Sequence, residues 1–321
     1  MSESAAGPTM PVGQADSGVP TSGTGASTIV VGIDGSPESV VATQWAAAQA
    51  LRRRAGLLIL SAVRPHHVGL PNVMLPGENA DRRTGAGRAL VDMVTRRIRH
   101  RFPDLRVTGA FEQRDPRAAL VEASRSAEMI VVGNRGTGRL SEALTGSVAL
   151  YVTAHASAPT AVIPRRPVPE SGPVLVGVDP AGSSQTAIDL AFDEADRRGV
   201  ELVAVLAGDR IVAHQGFARR PVQPLPTEIE QDHAVLSEQL SGWSDKYPDV
   251  TVHRMLLDGR PAQCLAHFTD LTGHERPQLT VVGNRGHGSL AGLVLGSTSH
   301  DLIGLAAGPV LVVPANAGRI E

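Results

Sequence analysis

The sequence predicts an α/β protein made of two tandem Rossmann-like domains, each a five-stranded parallel sheet with helices on both faces. Two observations lead to this fold class. Short apolar runs rich in β-branched residues alternate with amphipathic segments, which is typical of parallel strands joined by helices. The chain also repeats itself, because the residues VVGNRG at 131–136 return unchanged at 281–286. The repeat indicates two related halves.

The repeat extends well beyond this phrase. VVGID at 30–34 matches LVGVD at 175–179 at an offset of 145 residues, and Pro116 matches Pro261 at the same offset. The two VVGNRG copies lie 150 residues apart, so we infer an insertion of five residues near 269–278 of the second half.

These matches divide the chain into five parts. The N-terminal part is rich in Gly, Ser and Pro and has almost no large apolar side chain, so it is predicted to be disordered. The parts are a tail at 1–27, a first domain at 28–164, a linker at 165–172, a second domain at 173–314 and a C-terminal tail at 315–321.

The composition excludes several classes of protein. The chain has 321 residues, 42% of them hydrophobic, and a net charge of −2, which is typical of a globular protein. No apolar run approaches the ~18 residues of a membrane span, and the N-terminus lacks a signal-peptide pattern, so we expect a cytoplasmic protein. The only cysteine, Cys264, excludes an intramolecular disulfide and is typical of a small core residue.

Strands and helices alternate within the first half. The first helix is predicted to begin at Ser36 and Pro37, a favoured pair of N-cap and first helical residue, and further helices are predicted over 88–102, 116–127 and 147–156. The predicted strands are 28–34, 57–63, 105–111, 128–133 and 160–164.

Each half ends in a short apolar strand that this topology leaves at a sheet edge. An uncovered apolar edge favours aggregation unless it is paired. We therefore expect strands 160–164 and 309–313 to pair, so that the two halves form an internal pseudo-dimer. The surfaces that remain can join two chains into a homodimer.

Both halves contain a glycine-rich loop after the fourth strand, with the pattern G-x-x-G, nine residues, G-S. Glycines 133, 136 and 138 let backbone N–H groups approach an anion, and Gly146-Ser147 opens a helix whose N-terminus suits a phosphate. Arg135 and Arg139 can balance phosphate charge. One such loop can simply connect a strand to a helix, but the same pattern in both halves favours an anion site.

These motifs give the chain a family resemblance. VVGIDGS with VVGNRGTGRLSEALTGS, and LVGVDPAGSS with VVGNRGHGSLAGLVLGS, resemble tandem universal stress proteins of the ATP-binding, actinobacterial kind. The resemblance covers about 28–314 and implies a universal stress protein fold in each half and a role for ATP in the stress response. It also implies that Mg²⁺ accompanies the nucleotide, although the sequence shows no cluster of metal ligands.

The resemblance implies specific binding residues. Asp34 and Asp179 are expected beside the adenine and ribose; alternatively, each is a strand-end Asp that caps the next helix. Ala62 and Val205, expected to close the second strand of each half, should line the base. The complete first-half set is Gly32, Asp34, Ala62, Val132, Gly133, Asn134, Arg135, Gly136, Thr137, Gly138, Arg139, Gly146, Ser147 and Val148. The second-half set is Gly177, Asp179, Val205, Val282, Gly283, Asn284, Arg285, Gly286, His287, Gly288, Ser289, Gly296, Ser297 and Thr298.

The second half departs from the first at this predicted site. Pro180 replaces Gly35, and proline has no N–H to donate. Ser289 stands where the first half has Arg139, so the second loop has less positive charge. We therefore expect the second site to bind ATP more weakly.

Other functional motifs are absent from the sequence. It contains no P-loop, no dinucleotide fingerprint after either first strand and no G-x-S-x-G elbow. The arginine runs at 52–54 and 96–101 are predicted to be solvated helix faces, so no nucleic acid partner is expected. No membrane partner is expected either, and a regulatory protein partner is left unidentified.

No catalytic residue or protein-held metal is predicted, because no general base or nucleophile stands in the motifs. Two functions remain. The chain is either a non-enzymatic ATP-binding regulatory module, which we favour, or a slow ATPase or nucleotide-dependent transferase. A flavin carrier is disfavoured, because the loops are suited to phosphates.

Overall fold

The structure is a computed structural model that describes residues 27–64, 68–70, 73–75, 78–134, 146–208, 226–284 and 295–315. The predicted tails, apart from Ser27 and Ala315, lie outside these ranges. Within them, no helix is long and apolar enough to cross a membrane.

The first half follows the predicted order of elements, with additions between its second strand and second helix. These elements are β1 (Thr28–Gly32), α1 (Pro37–Arg53), β2 (Gly56–Ala62), β3 (Val68–Leu70), β4 (Val73–Leu75), α2 (Glu78–Arg101), β5 (Val107–Glu112), α3 (Pro116–Ala123), β6 (Met129–Gly133), α4 (Ser147–His155) and β7 (Thr160–Ile163).

Two features of this half were not predicted. Strands β3 and β4 form a separate antiparallel pair, and α2 begins ten residues before the predicted position 88. The early turns of α2 contain Gly85 and Gly87, which disfavour a helix. Gly87 lies so close to the Phe111 ring that a Cβ there would be 2.2 Å from it, so packing explains this glycine.

Within the described residues, the second half repeats the arrangement with two extra helices. Its elements are β8 (Val174–Val178), α5 (Gln185–Arg198), β9 (Leu202–Gly208), α6 (Pro226–Gln239), α7 (Trp243–Lys246), β10 (Val252–Asp258), α8 (Pro261–Ala266), α9 (Phe268–Thr272), β11 (Leu279–Gly283), α10 (Ser297–Leu305) and β12 (Val310–Val313). The two extra helices are α7 and α9. Helix α9 lies in the inserted region near 269–278, so the insertion forms a helical turn of its own.

The ten long strands form one sheet in the order β10-β9-β8-β11-β12-β7-β6-β1-β2-β5. Within each half, all strand pairs of this ten-stranded sheet are parallel. The strand order reverses direction between β1 and β6 in the first half and between β8 and β11 in the second. A crevice at the carboxyl ends of the strands is expected at such points.

The two halves join through the strands that the sequence indicated. β7 and β12 pair antiparallel, with Val162 opposite Val310 and Thr160 opposite Val312. The pairing covers both apolar edges and makes one continuous sheet. Because β7 and β12 run in opposite directions, the parallel strands of the first half point opposite to those of the second half. The carboxyl ends of the strands in the two halves therefore lie on opposite sides of the sheet.

Helices cover both faces of this sheet. On one face α1, α2, α5 and α6 bury side chains such as Trp45, Ile98, Phe192 and Leu236. On the other face α3, α4, α8, α9 and α10 pack on a second core that includes Leu120. The predicted α/β architecture with helices on both faces is confirmed.

Candidate functional site

The predicted binding residues of the first half gather where the strand order reverses. β1 ends at Gly32 and its neighbour β6 ends at Gly133, both at the same edge of the sheet. α4 begins at Ser147 beside the end of β6. The equivalent residues of the second half, at the ends of β8 and β11, have the same arrangement.

The turn between β1 and α1 is organised by Asp34. Its Oδ1 atom accepts hydrogen bonds from the Ser36 amide at 3.0 Å and the Ser36 hydroxyl at 2.6 Å. Ser36 in turn caps α1 by accepting from the Ser39 amide at 3.2 Å. Gly35 has φ +83°, which favours glycine. Asp34 is exposed and therefore orders the turn that leads into α1 while facing solvent.

The matching turn of the second half has a different construction. Proline fixes φ near −65°, so Pro180 cannot take the conformation of Gly35. The positive φ of +79° falls on Gly182, whose amide bonds the Asp179 carbonyl at 3.0 Å. The Asp179 carboxylate accepts from the Ala181 amide at 3.0 Å and from the Ser183 hydroxyl. Asp179 accepts hydrogen bonds within its own turn, as Asp34 does, but the turn between β8 and α5 is longer than the turn between β1 and α1.

Two predicted binding glycines are explained by packing. A Cβ on Gly32 would lie 3.0 Å from the Leu120 side chain, and one on Gly177 would lie 2.9 Å from Leu265. Val132 and Val282 are buried in the same core. These four residues shape the sheet under the site, so any contact with a ligand would come from their backbone.

Each glycine-rich loop is closed at its base by a backbone hydrogen bond. The Gly146 amide donates to the Asn134 carbonyl at 2.8 Å, and the Gly296 amide donates to the Asn284 carbonyl at 2.8 Å. The backbone amides of Asn134 and Asn284 donate hydrogen bonds in turn to the carbonyls of Ile163 and Val313. The loop therefore leaves and returns at one point beside the helix N-terminus.

The helices after these loops begin without a side-chain cap. Gly146 is the N-cap of α4 and Gly296 the N-cap of α10, and neither helix has a side-chain hydrogen bond at its cap. By contrast, Asp115 caps α3 by accepting from the Arg117 amide. The first N–H groups of α4 and α10 thus lack the intrahelical partner and the cap that would satisfy them, as a bound anion can.

The first two side chains of these helices have the same exposure in both halves, but the third differs in its contacts. Ser147 and Ser297 are exposed, whereas Val148 and Thr298 are half-buried. Ser299, which the sequence analysis did not single out, is buried and donates to the Gly283 carbonyl at 2.6 Å. It ties α10 to the end of β11, and its match in the first half is Ala149. A lone serine gave no sequence signal for this contact.

One polar atom near the first loop has no partner among the residues that the structure describes. Within them, Asn134 Oδ1 is buried without a hydrogen bond, whereas its counterpart Asn284 Oδ1 accepts from the Ala315 amide at 3.3 Å. Buried polar groups are rarely left unpaired in proteins. The unsatisfied oxygen is therefore a feature that a hydrogen-bond donor on a ligand could complete.

Of the two residues predicted to close a strand and line the base, only Ala62 ends its strand. Ala62 is the last residue of β2 and is half-buried. Val205 does not close its strand, because β9 continues to Gly208, and it is buried in the core. The register pairs Gly177 with Val205 and Gly32 with Leu60, so Val205 corresponds to Leu60, and Ala207 is the match of Ala62.

Charged residues at the same edge of the first half were not singled out from the sequence. Arg64 and Arg117 both pair with Asp115, at 2.9 and 3.0 Å. The hydrogen bond from the Arg117 side chain is the main reason that the pKa of Asp115 lies below its usual value. The signal available in the sequence was a charged residue two or three residues after the ends of β2 and β5.

The remaining predicted residues belong to the two loops and lie outside the described residues. They are Arg135, Gly136, Thr137, Gly138, Arg139, Arg285, Gly286, His287, Gly288 and Ser289. In the ranges that are described, no group of three His, Cys, Asp or Glu side chains is arranged to hold a metal ion.

Fold and site together define a tandem Rossmann-like α/β protein in which a helix begins at a glycine N-cap beside each strand reversal. The model of the universal stress protein family matches residues 26–164 and again 171–314. The chain therefore belongs to the universal stress protein family and contains two such domains.

Individual proteins show the same relationship. The universal stress protein Rv2623 of Mycobacterium tuberculosis is 35% identical over 299 residues, covering 91% of this chain and 98% of that protein. The universal stress protein Rv2005c of the same species is 35% identical over 293 residues, covering 88% and 96%. A universal stress protein structure from Archaeoglobus fulgidus shares the fold, with a TM-score of 0.63 and 18% identity, over 92% of this chain and 97% of that one.

Proposed function

We propose that this protein binds ATP at the carboxyl edge of each half of the sheet and acts as a nucleotide-dependent regulatory module in the stress response. The observation that carries the proposal is the loop base at Asn134 and Gly146. There a glycine-rich loop closes beside an uncapped helix N-terminus, at the point where the strand order reverses. This combination recurs at Asn284 and Gly296.

The residues present suit a nucleoside triphosphate. Exposed N–H groups at the start of α4, the Ser147 hydroxyl and the glycines of the loop would hold phosphates. Asp34 lies in the turn after β1, and Ala62 ends the neighbouring β2; the adenine and ribose would lie beside them. The unpaired Asn134 Oδ1 offers an acceptor for a hydroxyl or amino group.

The same residues give little support to rapid catalysis. Glycine N–H groups and a serine hydroxyl can hold a triphosphate, but binding raises kcat only where it is stronger in the transition state than in the ground state. The Asp34 carboxylate already accepts two hydrogen bonds from Ser36. We infer that bound ATP orders the loops and changes a surface for a protein partner.

The first test is mass spectrometry of small molecules released when the purified protein is denatured. The proposal expects intact ATP. ADP, together with phosphate release above the blank, would support the slow ATPase instead. A hydrolysis rate of several per second that is lost in Asp34→Ala would contradict a binding module, because we expect Asp34→Ala at saturating ATP to change hydrolysis little.

The second test assigns each site by isothermal titration. Gly136→Glu and Gly286→Glu should each remove ATP binding from one half, because a carboxylate would stand where phosphate is expected. Gly136→Glu should remove the tighter site, given Pro180 and the missing loop arginine of the second half. Gly85→Glu is the control, since an added Cβ there meets nothing within 4 Å. Unchanged affinity in both loop variants would refute the site.

A further inference from the structure

The two halves carry opposite charge on one face of the sheet. This face, called here the helical face, consists of α2 and α1 from the first half and α5 and α6 from the second. All four helices pack on the same core. The nucleotide site does not use their outer surfaces.

The first-half end of the helical face is strongly basic. From 82 to 106 every arginine is exposed, and the only acidic residues are Asp92 and Asp104. Arg99 has a structural role, because it donates to the Val107 carbonyl at 3.1 and 2.6 Å and so covers the edge of β5. The arginines are Arg82, Arg83, Arg88, Arg96, Arg97, Arg99, Arg101 and Arg106.

The second-half end is acidic. Among the described residues of α5, α6 and the segment after them to Asp249, the exposed Arg and Lys side chains are Arg197 and Lys246, and Lys246 is held by Asp189 at 2.7 Å. The acidic residues there that are exposed or half-buried are Asp189, Asp193, Asp196, Glu230, Asp232, Glu238, Asp245 and Asp249.

The fold itself does not require this difference. RFPD at 101–104 matches KYPD at 246–249, and this alignment places Ser241 and Gly242 where the first half has Arg96 and Arg97. In the described part of the chain, Arg96 and Arg97 form no hydrogen bond or ion pair, and the same holds for Glu230 and Glu238. These charges are therefore available to a partner.

The helical face also carries exposed apolar side chains. Val40 and Leu51 on α1 are 41% and 39% exposed, and Met93 on α2 is 54% exposed. They make up half of the six large hydrophobic side chains that are exposed in the described ranges. An interface typically combines such an apolar centre with charged surroundings.

We propose that the helical face docks on the helical face of a second copy of this chain, with α2 of each copy against α5 and α6 of the other. A rotation of 180° about an axis parallel to the strands would bring the basic end of one copy over the acidic end of its partner, twice. Such a twofold contact is self-complementary and closes as a dimer.

A second copy fits this surface better than a nucleic acid does. The acidic end would repel a polyanion, whereas it complements the basic end of another copy. The basic end also lacks exposed aromatic side chains that would stack on bases, because Phe102 and Phe111 are half-buried under arginines. The pairing of opposite charges predicts a dimer that salt weakens.

The test is analytical ultracentrifugation of the full chain in about 50 mM and about 500 mM salt, where screening differs strongly. Two variants are compared: Arg96→Glu with Arg97→Glu, and Glu230→Arg with Glu238→Arg. Each variant alone should be monomeric, with the dissociation constant raised roughly 100-fold by like-charge contacts. Arg125→Glu, two residues after the end of α3 on the opposite face, is the control and should leave the dimer unchanged.

Mixing the two variants provides the decisive result. The reversed charges then face opposite charges at both contacts, so a one-to-one heterodimer should form. Misfolded variants would not recover in this way. A wild-type chain that is monomeric at both salt concentrations would overturn the proposal, as would a dimer that neither variant weakens. A monomer that binds a DNA oligonucleotide through Arg96 and Arg97 would overturn it too.

Discussion

The two halves meet at a buried charged cluster in which equivalent positions hold different residues. Gln49 of α1 matches Glu194 of α5 at the 145-residue offset, while Arg53 and Arg198 also match each other. Gln49 and Glu194 are fully buried. The amide of Gln49 donates to Glu194, and its oxygen accepts from Arg198 at 2.9 Å.

Both arginines converge on the single glutamate. Arg53 contacts Glu194 at 2.6 Å and also reaches Asp193 and Glu128, while Arg198 contacts Glu194 at 2.8 Å. Arg53 donates from Nε, Nη1 and Nη2, whereas among the described residues Arg198 donates to this cluster through Nη2 and its Nε is unpaired.

This comparison shows how a tandem repeat can favour its own two halves over two copies of one half. In a symmetric pair of second halves, two buried carboxylates would meet. In a symmetric pair of first halves, two amides would meet and the arginines would lose Glu194. One glutamine opposite one glutamate avoids both outcomes. We therefore infer that the difference between Gln49 and Glu194 favours the pairing of a first half with a second half.

The pKa values follow from this geometry. Burial raises the pKa of Glu194, but the charges of Arg198 and Arg53 and the hydrogen bonds from Gln49 and Arg53 outweigh it, so the pKa lies below its usual value. Burial lowers the pKa of Arg53, yet Glu194, Asp193 and Glu128 raise it overall. Both groups therefore remain charged in the folded protein at neutral pH.

The largest expected effect comes from removing the shared charge. Glu194→Gln would leave Arg198 buried without a carboxylate and should lower the free energy of unfolding by about 3–5 kcal/mol. Urea unfolding measures this loss. Arg197→Gln is the control, because its pair with Asp193 is exposed and should contribute at most about 1 kcal/mol. Equal effects in the two variants would refute the importance of burial.

A second expectation concerns acid. The folded pKa of Glu194 is depressed, so its stabilisation is complete above the usual glutamate value of 4.5 and is lost as pH falls through the folded value. The difference in unfolding free energy between wild type and Glu194→Gln should therefore shrink below that pH. Thermal melts of both proteins from neutral pH downward test this. A difference that stays constant down to strongly acidic pH would contradict the linkage.

The smallest expected effect lies at two matched helix ends. Arg54 ends α1 with φ 52°, and Gly199 ends α5 with φ 63°. Left-handed backbone favours glycine, so Arg54→Gly should stabilise the first half by about 1 kcal/mol and Gly199→Ala should destabilise the second by a similar amount. An added Cβ on Gly199 meets nothing within 4 Å, so the backbone alone accounts for that loss. Shifts of the same sign in thermal melts would contradict this reasoning.

Much of the fold followed from local patterns. The Ser36–Pro37 pair predicted the start of α1, which the structure confirms, and the apolar runs predicted the ten sheet strands. Helix α2 was predicted too short because its early turns contain Gly85 and Gly87, of which only Gly87 is explained by the Phe111 contact. Glycine spacing predicted the site residues, which remain a prediction, but Val205 does not end its strand, because strand length and register depend on pairing with neighbouring strands.

The sequence by itself determined the two-fold repeat, the parallel sheets and the glycine loops, because period, propensity and turn chemistry are local properties of the chain. Only the tertiary structure decided that Gly32 and Gly177 serve packing, that Asn134 keeps an unpaired oxygen and that Gln49 meets Glu194. The packing of the two glycines and the hydrogen bond between Gln49 and Glu194 join residues far apart in the chain, and the Asn134 oxygen is buried by the fold. The energy of each therefore depends on burial and on partners that exist only after the sheet has formed.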